Sequence, residues 1–400
     1  MNKIENLIQK LCPDGVEYKP LWSLTIWDKK FNGVEKLHQQ QVISFIHISA
    51  QELKSLEEKN GDIKLLSTGK FDAYTTTEKA VGLVNNGEVI SIPSGGSASI
   101  KYYNGRFVDS GNILAITSDK ELYNLKYIYY FLLNNIGTIQ SAFRGSGVQH
   151  PDMSEILDIE IPVPPMEIQC EIVKALDNFA ELTAELTAEL TVRKEQYDFY
   201  LKKVLTNDNM RIIKLSEVGK VCMCKRIMKD QTSTTGDVPF YKIGTFGGEA
   251  DAFISQELFD EYTSKYSYPK KNEILISCSG TIGRTVKFDG QPSYFQDSNI
   301  VWLQNDEKLV LNDYLYYAYK LMPFHISTGG TISRLYNSGI ENAEIKIPSL
   351  EEQREIVDML EKFEKLTNDL RDGLPAEIEA RKQQYEYYRN KLLTFKRKEN

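Results

Sequence analysis

Cysteine, histidine and long apolar runs are scarce in this 400-residue chain. Its five cysteines are scattered and odd in number, which excludes a disulfide framework and suits a reducing cytoplasm. Cys222 and Cys224 form a single C-x-C with no second pair to complete a zinc site. The four histidines stand apart from one another and read as structural rather than catalytic. No apolar run approaches the roughly 20 residues that span a bilayer, and Met1 to Leu11 reads as an amphipathic helix, not a signal peptide. Also missing are the G-x-x-x-x-G-K-[ST] phosphate loop and the G-x-S-x-G elbow. An adenine methyltransferase holds its flipped base with Asp/Asn-Pro-Pro-aromatic; the only comparable run, Val163-Pro164-Pro165-Met166, lacks both the polar and the aromatic member. Pro13-Asp14 with Glu17-Tyr18-Lys19 mimics the acids and lysine of a nuclease, but a tight Asp-Gly turn explains that cluster better. The expectation is a chain without catalytic residues, metal or cofactor of its own.

What the chain does have is a large internal repeat. Ile159 to Thr206 begins IEIPVPPMEIQCEIVKAL, and Ile345 to Phe395 begins IKIPSLEEQREIVDML. Ile161-Pro162 answers Ile347-Pro348, Gln169 answers Gln353, and Glu171-Ile172-Val173 answers Glu355-Ile356-Val357. Further on, Arg193-Lys194-Glu195-Gln196-Tyr197 is answered by Arg381-Lys382-Gln383-Gln384-Tyr385. An offset of roughly 185 residues is far beyond solenoid periods, so a domain and its helix have been duplicated. Apolar residues recur at three and four (Ile168, Ile172, Leu176, Phe179, Leu182, Leu186, Leu190, then Ile356, Leu360, Phe363, Leu366, Leu370), which predicts two long amphipathic helices. A long helix cannot bury such a stripe alone, and the repeat favours packing of the two as an antiparallel pair. Pro164-Pro165 suits a first turn, Ser349 to Glu352 has the capping-box spacing, and Gly373 with Pro375 predicts a kink or break. The first helix also iterates Thr-Ala-Glu-Leu, at Thr183 to Leu186 and Thr187 to Leu190. Each such unit lengthens the helix by about 6 Å and rotates its distal part by about 40°.

These boundaries give four segments: globular domains at 1–158 and 207–344, and spacer helices at 159–206 and 345–400. The fold class expected is α+β, with two similar domains joined by two long antiparallel helices, a coiled-coil spacer in a pseudo-twofold internal repeat. Ile172, Phe179, Leu186, Leu190, Ile356 and Phe363 are the expected apolar positions of the spacer or of its partner contacts. The net charge of −8 falls mostly on the helices, leaving both globular halves close to neutral and able to carry local basic patches. Within the halves, Val42 to Ile48 and Val89 to Ile92 read as strands, Phe107 to Ile116 as a strand pair and Glu121 to Asn134 as a helix. Glu88-Val89-Ile90 is answered by Glu273-Ile274-Leu275, and Tyr127-Ile128-Tyr129-Tyr130 by Tyr314-Leu315-Tyr316-Tyr317. Outside such islands the halves differ widely, as a shared scaffold with divergent loops does when it serves two targets.

The element order, the IPVPPMEIQ and IPSLEEQREIV segments, the R-K-x-Q-Y helix ends and the Thr-Ala-Glu-Leu iteration resemble the specificity subunit of Type I restriction-modification enzymes, over the whole chain. The resemblance implies two target-recognition domains, each reading one half of a split sequence in double-stranded DNA. It also implies helices that dock two methyltransferase (modification) subunits, with two motor-nuclease (restriction) subunits added for cleavage. S-adenosylmethionine, ATP and Mg would then belong to those partners, and no membrane is involved. Candidates for touching DNA are the polar residues of the glycine-rich turns and loops: Ser94, Ser97, Lys101, Arg144, Ser146 and Gln149 in the first half. In the second they are Lys270, Lys271, Ser279, Thr281, Arg284, Thr331, Ser333 and Arg334. Two other readings stay open: a recognition subunit of a Type II enzyme with bipartite sites, and a helical scaffold that binds no DNA.

Overall fold

Four antiparallel strands in the same order form the kernel of each of two units, Met1–Leu186 with Ile378–Asn400 and Thr187–Glu377. The computed structural model describes residues 2–327, 333–369 and 371–399. In the first unit the kernel is Thr25–Trp27, Asn112–Thr117, Asn85–Pro93 and Lys101–Asp109; in the second it is Gly219–Met223, Ile300–Asn305, Ile274–Ser277 and Thr285–Lys287. The strands added to it differ. Ile63–Leu66 and Asp72–Thr75 extend the first sheet to six strands, Ile63–Leu66 running parallel to Lys101–Asp109. The second unit instead builds a separate sheet from Phe253–Ile254, Val238–Tyr241 and Tyr294–Phe295. In the first unit's central ribbon Gly87 stands opposite Gly105, with φ of 150° and 142°. Side chains disfavour that backbone region, so the glycine pair lets the ribbon bend.

A helix covers each kernel. Leu125–Asn134 packs Leu125, Ile128 and Leu132 among Ile90, Ile92 and Ile113 of the sheet, and Asn312–Lys320 packs Tyr314 and Leu315 among Ile274, Ile276 and Val301. The first of these helices starts four residues later than the apolar pattern predicts. Asn124 takes the cap instead, its side chain accepting from the N–H groups of Lys126 and Tyr127. Val42 to Ile48 is not a strand. It touches Trp27 and Asp109 through isolated bridges, and those residues lie on strands that are not neighbours, so it can pair along neither. His47 fixes it in place: Nδ1 lies 2.7 Å from the buried carboxylate of Asp109, and Nε2 lies 3.1 Å from that of Asp28.

The long helix runs from Met166 to Leu205, not from Ile159. Glu160–Val163 is used as a strand against Glu17–Pro20, and in the second unit Glu344–Ile347 pairs with Arg211–Lys214 in the same antiparallel way. The prolines after these strands separate strand from helix, because they cannot donate to a ladder. Ser349 then caps Leu350–Asn368 through the predicted box: Glu352 N donates to its hydroxyl at 3.3 Å and Ser349 N to the Glu352 carboxylate at 3.0 Å. The expected break is present. Leu350–Asn368 ends, and Leu374–Leu392 begins directly after Gly373, where a Cβ would lie 2.7 Å from the carbonyl oxygens of Lys365 and Asp369.

Each unit packs part of the long helix beside one of these closing helices. In the first, Phe179 stacks on Tyr388 with ring centroids 5.4 Å apart; in the second, Tyr200 stacks on Phe363 at 5.8 Å. Ile168, Ile172 and Leu176 are fully buried in the first core, whereas Phe179, Leu186 and Leu190 are half-buried. In Leu350–Asn368 the expected Leu360 is fully buried and Val357 joins it in the core, while Ile356 and Phe363 are half-buried against that core. Leu370 lies outside the described residues. Rod carboxylates tie each assembly to its covering helix. Asp177 accepts from Tyr130 and from Lys126 Nζ (2.8 Å), and Glu364 from Tyr317 (3.1 Å) and Lys320 (2.7 Å). Among the described residues no helix is long and apolar enough to cross a membrane.

Candidate nucleic-acid interface

In the first unit, the Ser94-Gly95-Gly96-Ser97 turn at the end of the central strand is bonded to the loop that comes after Arg144. Gly96 N donates to Gln149 O at 2.8 Å, and His150 Nδ1 lies 2.7 Å from Ser94 O. The approach is close enough that a Cβ on Gly95 would stand 3.0 Å from the His150 ring and 3.2 Å from the Val148 side chain. Ser94, Ser97, Ser146 and Gln149 are thereby brought onto one pair of loops with exposed side chains. Such preset donors and acceptors suit base-edge and phosphate contacts, because ordering them adds little entropy loss on binding.

Two of the expected cations are otherwise engaged. Lys101 Nζ donates to Ser67 O and Gly69 O, both at 2.6 Å, and burial pulls its ammonium below the ordinary lysine range. It is a tether, and what it tethers is a third loop, 67–71, which carries the exposed Lys70 beside the first two. Lys70 was missed from sequence; the signal available was the Ser-Thr-Gly-Lys turn between two strands. Arg144 grips the Glu155 carboxylate with Nη2 at 2.6 and 2.9 Å and also donates to Ser141 O.

The second unit assembles its turn in the corresponding place. Residues 278–284 come directly after the strand Ile274–Ser277; Cys278 N donates to Asn299 O at 2.7 Å and Leu335 N to Cys278 O at 2.9 Å. Ser279 Oγ donates to Asn299 Oδ1 at 3.0 Å, Arg284 Nη1 to Phe246 O at 2.8 Å, and Arg334 Nη2 to the carbonyl and hydroxyl of Ser298 at 3.1 and 3.0 Å. Ser279 and Arg334 are therefore gathered at Asn299 and Ser298, with Ser333 exposed beside Arg334, whereas Arg284 reaches Phe246 and the Thr281 carbonyl accepts from Ser277. Burial pushes the Cys278 thiol up to about 11, which makes it a packing group rather than a reactive thiolate. Lys270 and Lys271 are not part of this cluster. They precede the same strand at its other end, where Lys270 N donates to the buried Glu273 carboxylate at 2.7 Å. Thr331 lies outside the described residues. Among the described residues no group of three or more His, Cys, Asp or Glu side chains is placed to hold a metal ion.

Comparison with known proteins matches this duplicated arrangement. The Type I restriction modification DNA specificity domain matches twice, over residues 39–193 and 207–380. A putative type I restriction enzyme specificity subunit of Haemophilus influenzae is 44% identical over 387 residues, covering 93% of this chain and 98% of the relative. The specificity subunit of the Type I restriction enzyme EcoR124I/EcoR124II of Escherichia coli is 30% identical over 301 residues, covering 69% of this chain and 72% of the relative. The crystal structure of a Type I restriction-modification S subunit from M. genitalium has the same fold, with a TM-score of 0.59 at 17% identity, over 95% of this chain and 96% of that one. With its two recognition domains and helical spacer, the chain belongs to the family of Type I restriction-modification specificity subunits.

Proposed function

We propose that each unit reads one half of a split DNA sequence, and that the chain supplies the address while partner subunits supply the chemistry. One observation carries this reading. The same strand end in both units leads into a turn that shares a Ser-Gly pair (Ser94-Gly95, Ser279-Gly280) and is hydrogen-bonded to a polar loop, while most other residues on those loops differ. A common frame with unlike donors and acceptors is what two independent base-reading surfaces need. The partners in this reading are two methyltransferase subunits docked on the helices and two motor-nuclease subunits. S-adenosylmethionine, ATP and Mg are bound by those partners, and the assembly works in the cytoplasm. The test is to express the chain with its modification partner and map methylated bases across a genome. A bipartite motif with a fixed gap supports the reading, and loss of that motif without the chain is required. Methylation at a continuous site, or the same motif without the chain, would overturn it.

A further inference from the structure

The Arg144–Glu155 pair joins a recognition loop to the short helix behind it, Met153–Leu157. Both oxygens of the carboxylate are within bonding distance of one guanidinium nitrogen, at 2.6 and 2.9 Å, yet the side chains remain 59% and 47% exposed. Nη1 donates to Ser141 O, so Glu155 holds only the Nη2 end of the guanidinium, and N–H donors of this kind are what arginine offers to O6 and N7 of guanine. Arg144 pairs with His150 at the base of the loop that the Gly96–Gln149 and Ser94–His150 contacts fix, so the guanidinium starts from a set place next to Ser146 and Gln149 in the chain. An exposed ion pair contributes little to stability and is readily exchanged. The matching loop of the second unit differs, for Arg334 bonds to uncharged Ser298.

We propose that Glu155 is an intramolecular stand-in for DNA, occupying Nη2 of Arg144 until a guanine edge in the first half-site displaces it. The carboxylate then acts as a specificity filter. Only a partner that places acceptors where the carboxylate oxygens stand repays release of the pair. This inference rests on the reading that the first unit binds a half-site.

The experiment uses the complex with its modification subunits and duplexes carrying the mapped site. Glu155→Gln keeps the shape and removes the competing charge. It is expected to tighten binding to the cognate duplex by roughly two- to fivefold, and binding to duplexes with a scrambled first half-site by at least as much, so that discrimination falls. Arg144→Lys retains a charge but not the fork. It is expected to abolish the penalty that wild type shows for 7-deazaguanine, which lacks N7, at one guanine of the first half-site. Unchanged affinity in Glu155→Gln, or a wild-type complex indifferent to 7-deazaguanine throughout that half-site, would overturn the inference. If wild type did not discriminate against a scrambled first half-site at all, the half-site reading itself would be what failed.

Discussion

Gln169 and Gln353 make the same three hydrogen bonds in the two repeats. Gln169 Oε1 accepts from Asn124 N at 2.9 Å while Nε2 donates to Leu122 O and Pro164 O; Gln353 Oε1 accepts from Leu311 N at 2.9 Å while Nε2 donates to Leu309 O and Pro348 O. Both side chains are buried, so each amide satisfies three backbone groups where a spacer helix leaves its sheet and meets the start of the covering helix. Replacing either by leucine keeps the volume and orphans those groups. Each variant is expected to cost about 3 kcal/mol and to lower the melting transition of its own unit by roughly 6–12 °C. Calorimetry showing no shift would mean that water replaces the amide.

The equivalence of Gln169 and Gln353 was legible as a repeat, but their role as clasps was not, because the partners they hold beside the covering helices lie more than forty residues away. The strand Glu160–Val163 was hidden by the helix beside it: its four residues, two of them Ile161 and Val163 in alternation, are too few to outweigh a forty-residue helical pattern. Ile356 and Val357 are adjacent and both apolar, so periodicity alone could not choose which faces the core. The turns themselves were legible in outline, since glycine and serine mark turns by local chemistry. Which cation is free was not legible. Lys101 reaches a loop contributed by strands only the first unit has, and Lys270 and Lys271 are separated from Ser279 by the length of one strand.

Arg334 tests the second loop cluster. It bonds both oxygens of Ser298 through one nitrogen, which sets the direction of its guanidinium. Arg334→Ala is expected to relax base preference at a position of the second half-site by about tenfold, corresponding to about 1–3 kcal/mol of discrimination, and to leave the first half-site unchanged. Methylation mapping of cells carrying the variant reads both halves at once. A uniform loss of methylation at every site would instead assign Arg334 a purely architectural part.

The Thr-Ala-Glu-Leu iteration makes a quantitative claim, because residues 183–190 lie inside the unbroken helix Met166–Leu205. Deleting Thr187 to Leu190 removes about 6 Å of helix and about 40° of turn. With about 3.4 Å per base pair, the gap between half-sites is expected to contract by one to two base pairs while both half-sites keep their sequences. Mapping the methylated motif of the deletion variant decides the matter. An unchanged gap would remove the helix from any measuring role.

Independence of the two units leads to the broadest prediction. Each has its own apolar core, its own sheet and its own turn-and-loop cluster, and each closes its beginning against its end by the pairings Glu17–Pro20 with Glu160–Val163 and Arg211–Lys214 with Glu344–Ile347. Exchanging residues 207–344 for the corresponding segment of another specificity subunit keeps Ile345 to Ile347 and sets them against a foreign strand in place of Arg211–Lys214. Ile213 stands opposite Ile345, and both are buried. The graft is therefore expected to fold only if the donor supplies an apolar residue where Ile213 stands here. Where it does fold, one half of the methylated motif should change to the donor's and the other should persist. A motif altered in both halves would mean that the units do not read DNA separately.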